Sequence, residues 1–269
     1  MYDLTLDLCQ VGKSDRFRDG WVHEKICPFT VIVQPVAGAY EVETPAASAT
    51  IDAGEVFVVA SDTAMTITHR HRKGRMAAQW LHARWLAYGA LDVSACLAFP
   101  LKVTGGPAKA IGAKLSMLLA LEDETGLHAS IRSHELCFGV LSELCSLARA
   151  DRDLLRAVEQ SPAVKRALAF IHDNLHQPLQ VADAAKAAGL SLSRFHEVFK
   201  QAVRCAPKQY IRRSKLTAAC RMLSASTRPI AQIAEALGFT SPFNFSRDFK
   251  RRYSVSPRAY RREHTNLQI

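Results

Sequence analysis

The C-terminal part of the chain repeats itself at an interval of about fifty residues, and a repeat constrains a fold more than any composition does. Phe195-His196-Glu197-Val198-Phe199-Lys200 returns as Phe245-Ser246-Arg247-Asp248-Phe249-Lys250. Ala206-Pro207-Lys208-Gln209-Tyr210 returns, at the same offset of 50, as Ser256-Pro257-Arg258-Ala259-Tyr260. Upstream, Val181 to Leu190 returns as Ile230 to Phe239 at an offset of 49, so the second copy carries one more residue between its two helices. Each copy reads as helix, glycine turn, helix. Val181, Ala184, Ala185 and Ala188 share one helical face, and Gly189 then supplies a left-handed turn that other residues resist. Phe195, Val198, Phe199 and Ala202 follow at i, i+3, i+4, i+7 and form the buried stripe of the next helix. In the second copy Ile230, Ile233, Ala234 and Leu237 precede Gly238, and Phe245 and Phe249 anchor the second helix. A small residue four before each glycine, Ala185 or Ala234, lets the helices cross closely. This is the pattern of a helix-turn-helix unit.

Charge points the same way. From Ser161 onward there are 19 Lys/Arg and 6 Asp/Glu, a balance of +13; the first 160 residues sum to −3, giving the net +10. A basic part joined to a mildly acidic one is the outline of a nucleic-acid-binding domain attached to something else. Between the copies, Pro207 to about Ala225 reads as a helix with Leu216, Ala219, Met222 and Leu223 on its apolar face. About 18 residues give a rod of roughly 27 Å, long enough to hold two recognition helices near one DNA turn apart. Ser161-Pro162 reads as an N-cap followed by Pro at N1, opening a helix with Val164, Leu168, Ile171 and Leu175 as its core stripe.

In these motifs, residues 162–263 resemble the DNA-binding domain of the AraC/XylS family of transcriptional regulators from end to end. The resemblance rests on Ala185-x3-Gly189, Phe195-x3-Phe199-Lys200, Pro207-x2-Tyr210, Ile230-x2-Ile233-Ala234-x3-Gly238-Phe239, Phe245-x3-Phe249-Lys250 and Ser256-Pro257-x2-Tyr260-Arg261. Two departures stand out. Arg204 and Ser254 occupy the places where the family usually has Gly after each recognition helix, and Lys215 replaces its usual linker-helix Arg. If the backbone is left-handed at Arg204 and Ser254, each costs on the order of 1 kcal/mol.

The Phe pairs fix the buried faces, so the outward faces follow. The expected base-facing residues are Ser193, Arg194, His196 and Glu197 in the first copy and Pro242, Phe243, Ser246 and Arg247 in the second. Lys200, Asn244, Lys250 and Arg251 are expected at phosphates, with Arg252 close by. The resemblance places the family's DNA-contacting positions on these same faces. Arg247 is the best base reader, since a guanidinium grips guanine O6 and N7 together. Phe243 reads either as a partner for a thymine methyl or as a contact with its own domain. Glu197 reads either as an acceptor for cytosine N4 or as a solvated charge.

The first part reads as short strands: Phe29–Val33, a turn followed by a strand over Ile51–Val59, Met65–His69 and Gln79–Trp85, separated by Gly/Pro turns. They predict a small β-barrel or jelly roll. The resemblance implies a cupin-like sensing barrel here, with Asp52-Ala53-Gly54-Glu55 as its turn. Trp21, Phe29, Phe57, Trp80, Trp85 and Tyr88 read as core. His69, His71 and His82 are the available metal ligands, but Ala64 stands at the cupin glycine position, no Glu follows, and His69-Arg70-His71-Arg72-Lys73 is strongly cationic. No metal and no cofactor are therefore expected. From Pro107 to Glu159 the pattern turns helical, with a break at Gly126-Leu127-His128. Leu136, Val140, Leu144 and Leu147 line one face of the second helix, which either covers the barrel or pairs with another subunit; the resemblance implies a homodimer.

The expected architecture is α+β and multidomain: a cupin-like β-barrel over residues 1–104, a helical hairpin over 105–159 that links or dimerises, and an all-α double helix-turn-helix domain over 160–269. The expected function is sequence-specific DNA-binding transcriptional regulation, responsive to an unknown small-molecule effector, with operator DNA as partner and RNA polymerase as a second partner of an activator. Two other readings remain: a metal-dependent cupin enzyme with a DNA-binding tail, and a non-specific nucleoid-type binder. No catalytic constellation is found. Seven cysteines without C-x-x-C spacing, and a start too polar for a signal peptide, point to a reducing cytoplasm. No run approaches the roughly 18 apolar residues of a membrane span.

Overall fold

A computed structural model describes residues 3–15 and 17–265 of the chain. In chain order the elements are β1 (Leu4–Ser14), β2 (Val22–Ile26), β3 (Thr30–Ala37), β4 (Ala39–Glu43), β5 (Ser48–Asp52), β6 (Val56–Val59), β7 (Ala64–Arg70), β8 (Ala77–Ala87), β9 (Leu91–Asp92), β10 (Leu97–Ala98) and β11 (Lys102–Val103). Then come α1 (Gly105–Ala120), α2 (Leu127–Leu147), β12 (Arg149–Ala150), α3 (Arg152–Glu159), α4 (Pro162–Asp173), α5 (Val181–Ala188), α6 (Leu192–Val203), α7 (Pro207–Ala225), α8 (Ile230–Ala236), α9 (Pro242–Tyr253) and α10 (Pro257–Thr265). They form two compact units. One comprises Leu4–Leu86 and Asp92–Ala150; the other runs from Asp151 to the C-terminal helix and takes in Ala87–Leu91.

The first unit corrects the expected cupin-like barrel. Besides the short pair β10-β12, its strands form two open sheets, β1-β8-β3-β6-β11 with β9 beside β8, and β2-β7-β4-β5. Neither closes on itself or on the other among the described residues. Core residues of β3, β6 and β8 (Val31, Val33, Phe57, Val59, Ala78, Trp80) pack with those of β4, β5 and β7 (Tyr40, Val42, Ile51, Met65, Ile67). The reason lies in the edge strands. β2 carries His23, Glu24 and Lys25, and β5 presents Ser48, Thr50 and Asp52 on either side of a single buried residue, Ile51. Short, polar strands of this kind end a sheet rather than seed further pairing. The expected turn at Asp52–Glu55 does form, with Gly54 at φ 89° and Glu55 N–H donating to the Asp52 carbonyl at 3.0 Å. It carries the chain from β5 in one sheet to β6 in the other.

α1 docks on the first sheet through buried amides. Gln34 Nε2 donates to the carbonyls of Gly54 (3.0 Å) and Ala108 (3.2 Å). Gln79 Nε2 donates to Gln34 Oε1 (2.8 Å) and to the Gly112 carbonyl (2.9 Å), and Ser116 Oγ donates to Gln79 Oε1 (2.9 Å). A Cβ at position 112 would collide with the Gln34 amide, so glycine allows this approach. α2 packs against α1 and β1. Leu136, Cys137, Val140, Leu141 and Leu144 are buried within the single chain. The stripe offered by sequence as a possible subunit contact is therefore intramolecular core. The exposed apolar residues of the pair are Met117, Leu127 and Ile131.

In the second unit the repeat builds the same object twice. Phe195 and Phe199 lie 5.2 Å apart, and Tyr210 meets Phe199 edge-on at 5.4 Å. Phe245 and Phe249 lie 5.7 Å apart, and Tyr260 meets Phe249 edge-on at 5.4 Å. The recurring Pro-x2-Tyr thus locks the start of the following helix to each recognition helix. Ser161 caps α4 as expected, its side chain accepting from Val164 N–H with Pro162 in the first turn. α3 packs on α4 and α6 and belongs to this unit.

Candidate nucleic-acid interface

Each recognition helix leaves a tight turn. Gly189 adopts φ 72° and Gly238 φ 62°, the left-handed conformation expected of both. At Gly238 space matters as well, because a Cβ there would lie 2.8 Å from Pro178 N and 2.9 Å from the Gln177 carbonyl oxygen. The same Gln177 oxygen accepts from Lys215 Nζ at 3.0 Å. Lys215, the residue standing in for the family's Arg, thus reaches from the connecting helix to the segment on which the second turn packs. Burial pulls its ammonium below the usual lysine range. The helices end as the departures from Gly foreshadowed: Arg204 has φ 58° and Ser254 φ 62°. Arg204 also donates from Nη2 to Asp151 Oδ1 at 3.2 Å.

Helix α6 starts at Ser191, whose hydroxyl accepts from Arg194 N–H at 3.4 Å; α9 starts at Ser241, which accepts from Asn244 N–H at 3.1 Å. With Phe195 and Phe199 fully buried, Ser193, Arg194, His196, Glu197 and Lys200 are exposed on one side of α6. With Phe245 and Phe249 buried, Pro242, Phe243, Arg247, Lys250 and Arg251 are exposed on α9, and Ser246, Asn244 and Arg252 are half-buried.

The two faces differ in charge. On α6, Arg194 Nη1 pairs with Glu197 Oε2 at 2.6 Å, one turn away, so Glu197 occupies the cation beside it. On α9 the side chain of Arg247 is exposed, and the carboxylate beside it, that of Asp248, is buried and 3.8 Å from its Nε. Its guanidinium carbon lies 5.9 Å from the centre of the Phe243 ring, and Phe243 is 73% exposed. Phe243 projects beside the arginine. Asn244 is turned aside, its Nδ2 donating to Thr240 Oγ1 at 2.8 Å.

One residue escaped the sequence reading. Asp248 is buried on α9, and its Oδ1 pairs with Arg212 of α7, with Arg251 at 3.6 Å and with Arg247 Nε at 3.8 Å. Three guanidinium groups converge on one carboxylate behind the exposed face. The available signal was an acid between Arg247 and Lys250 in a strongly basic helix; what it lacked was the partner from α7.

The three histidines do not assemble. His69 is buried in β7 beside Phe17 (4.3 Å), Tyr40 (4.8 Å), Trp21 (5.2 Å) and His23 (5.2 Å), with both ring nitrogens lacking a hydrogen-bond partner. His71 Nε2 lies 2.8 Å from the Phe17 carbonyl. His82 is stacked between Phe29 and Trp80 in the other sheet. Among the described residues no group of His, Cys, Asp and Glu could hold a metal ion. Trp21, read as core, is 41% exposed and stacks on Phe17 at 4.5 Å. Among the described residues no helix is long and apolar enough to cross a membrane.

Two helix-turn-helix units on one basic domain, each presenting an outward polar face, define the class of helix-turn-helix DNA-binding proteins. A family model described as a helix-turn-helix domain matches residues 184–263. The multiple antibiotic resistance protein MarA of Escherichia coli is 36% identical over 101 residues, covering 38% of this chain and 78% of MarA. The probable transcriptional regulator LumQ of Photobacterium leiognathi is 33% identical over 91 residues, 34% of this chain and 37% of LumQ. Against LumQ and two further transcriptional regulators the match spans only about a third of the relative's length. The structure of ToxT from Vibrio cholerae O395 shares the fold over 96% of this chain and 98% of ToxT, with a TM-score of 0.58 at 10% identity. The chain belongs to the AraC/XylS family of helix-turn-helix transcriptional regulators.

Proposed function

We propose that the chain is a sequence-specific operator-binding transcriptional regulator acting in the cytoplasm, whose α+β unit takes a small-molecule effector. The observation that carries the DNA-binding reading is the duplicated unit itself. Two helices of 12 residues, α6 and α9, each expose a polar face opposite a buried Phe pair. They are joined by the 19-residue α7, about 28 Å long at 1.5 Å per residue. The reading assigns base contacts to Ser193, Arg194, His196, Glu197, Pro242, Phe243, Ser246 and Arg247, and phosphate contacts to Lys200, Asn244, Lys250 and Arg251. α9 supplies more discrimination than α6, because the carboxylate beside Arg247 is the buried Asp248, 3.8 Å away behind the exposed face, while Arg194 is paired at 2.6 Å with the exposed Glu197.

Support for an effector comes from the first unit. ToxT, which shares this fold, has been solved with an unsaturated fatty acid bound. In this chain the two unpartnered ring nitrogens of His69, set among Phe17, Trp21 and Tyr40, are the polar group a largely apolar ligand would meet. Two copies pair as a homodimer through the exposed side of α1 and α2, at Met117, Leu127 and Ile131. As an activator the protein would have RNA polymerase as its second partner.

Selection of bound sequences from random duplex DNA by the full chain tests the reading. A defined motif, with affinity falling steeply with salt at a slope near −0.9 per phosphate contacted, is the expected result. Enrichment of no motif would make the protein a non-specific binder. An effector should then shift operator affinity by about 1–3 kcal/mol; ligands that raise thermal stability and leave operator affinity unchanged would argue against sensing.

A further inference from the structure

Cysteine spacing along the chain gives no hint of pairing, yet the first unit brings two thiols together across 128 positions. Cys9 of β1 and Cys137 of α2 have their Sγ atoms 2.7 Å apart, and both cysteines are free. Cys137 is fully buried where α2 packs on β1, and Cys9 is half-buried. A disulfide bond measures about 2.05 Å between sulfurs, so closing this one moves the two sulfurs by less than an ångström. We propose that Cys9 and Cys137 form a reversible disulfide site, closed by a hydroperoxide and reopened by a thiol reductant. This goes beyond the DNA-binding reading and does not depend on it.

The chemistry starts at Cys9, the more accessible sulfur. The hydrogen bond from Cys137 lowers the Cys9 pKa below the ordinary thiol value, against the opposing effect of its burial, whereas that bond, burial and the neighbouring Cys9 all raise Cys137. The Cys9 thiolate attacks one oxygen of the hydroperoxide, the O–O bond breaks, and the departing hydroxide is protonated to water. Cys9 is then a sulfenic acid. The Cys137 sulfur attacks the Cys9 sulfur, the S–O bond breaks, and the leaving hydroxide takes the Cys137 proton as a second water. In sum two thiols and one hydrogen peroxide become one disulfide and two waters; the sulfurs lose two electrons and the peroxide gains them. The bond ties β1 covalently to α2 and closes a long loop, which constrains the unfolded chain.

The experiment treats the full chain with hydrogen peroxide, blocks remaining thiols under denaturing conditions without reductant, and maps peptides by mass. Two of the seven thiols should become unavailable, and the peptide holding Cys9 should appear joined to that holding Cys137, lighter by two hydrogens. Dithiothreitol should restore both thiols, and the oxidised chain should melt several degrees higher than the reduced one. Cys9→Ser and Cys137→Ser should each abolish the linked peptide. Both thiols alkylated after treatment, or Cys9 overoxidised to sulfinic acid with Cys137 still free, would overturn the proposal. So would chains joined to one another through the exposed Cys145 without the Cys9–Cys137 link. If a serine variant fails to fold, the linked peptide in the unaltered chain still decides. None of these readouts involves DNA, so a failure here leaves the regulator reading standing, and the reverse.

Discussion

At the scale of residues, the sharpest contrast is between cations that lie one turn apart on α9. Arg247 projects beside Phe243 and away from the core of Phe245 and Phe249; Lys250 lies nearer the end of the helix. A bidentate arginine–guanine contact discriminates by about 1–3 kcal/mol, whereas a phosphate-bound lysine strengthens every sequence alike. Arg247→Ala should relax preference at one operator position, and Lys250→Ala should weaken all operators and lower the salt slope by about one unit. Titration against a set of single-base operator changes separates the two, and a uniform loss with Arg247→Ala would make Arg247 a phosphate clamp. Asp248 should matter to the same position without meeting DNA. Asp248→Asn frees Arg212, Arg247 and Arg251 from their shared carboxylate. It should cost up to about tenfold in operator affinity, roughly 1.4 kcal/mol, and blur the base that Arg247 reads. An unchanged base profile would leave Asp248 a structural residue only.

His69 and His23 give a second residue-scale prediction. Burial, with the nearby charge of Lys25, pushes His69 down to about 4 and His23 to about 3. Both are below the ordinary histidine value of about 6.5, so between these limits the unfolded chain binds protons that the folded chain does not. Their contribution to stability is complete above about pH 6.5 and is lost as pH falls through 6.5 toward 4 and then 3. His69→Phe should flatten the acid side of the melting-temperature profile in that window; nearby, a hydrogen bond from the His71 backbone lowers Asp19 and one from Arg70 lowers Glu41. An unchanged profile would show that His69 is solvated in the native state.

At the scale of elements, the α1–α2 pair is held from inside. Leu144 is completely buried, so Leu144→Asp places a charge in the core. It should unfold the first unit rather than split a dimer; circular dichroism with sedimentation distinguishes the two, and a folded monomer would contradict the intramolecular packing. Gly112→Ala is the finer probe. Helix propensity favours alanine by roughly 1 kcal/mol, but its Cβ would displace the Gln34 amide from its bonds to Gly54, Ala108 and Gln79. Overpacking and lost hydrogen bonds should win, for a net loss of about 1–3 kcal/mol in denaturant unfolding. A gain in stability would show that the amide network can shift without cost.

At the scale of the whole molecule, the second unit includes α3. Asp151 caps that helix, accepting from Leu154 N–H at 3.0 Å, and also receives Arg204. Leu154 and Val158 are buried. A fragment of residues 151–269 should fold alone and bind the operator with the salt dependence of the full chain, whereas one of residues 160–269 should melt lower. Equal melting temperatures would mean that α3 contributes nothing to the unit.

Within the second unit, the helices and turns from α4 onward were legible in the sequence, while α3 and Ala87–Leu91 were not read as part of it. The expected helix from Pro207 to about Ala225 is α7, and Gly189, Gly238, Arg204 and Ser254 all have the backbone their places implied. That legibility comes from duplication and from local rules: helical period, caps and left-handed turns are written within a few residues of where they act. The first unit was legible only as strands. Phe29–Val33, Met65–His69 and Gln79–Trp85 recur in β3, β7 and β8. Whether those strands closed into a barrel depended on pairing between residues far apart, which alternation does not encode. Tertiary structure decided the rest: two open sheets in place of a barrel, the α2 stripe turned inward, Asp248 set among three arginines, and Cys9 beside Cys137. Each is a contact between distant segments, and a one-dimensional pattern carries the faces that meet but not which faces meet one another.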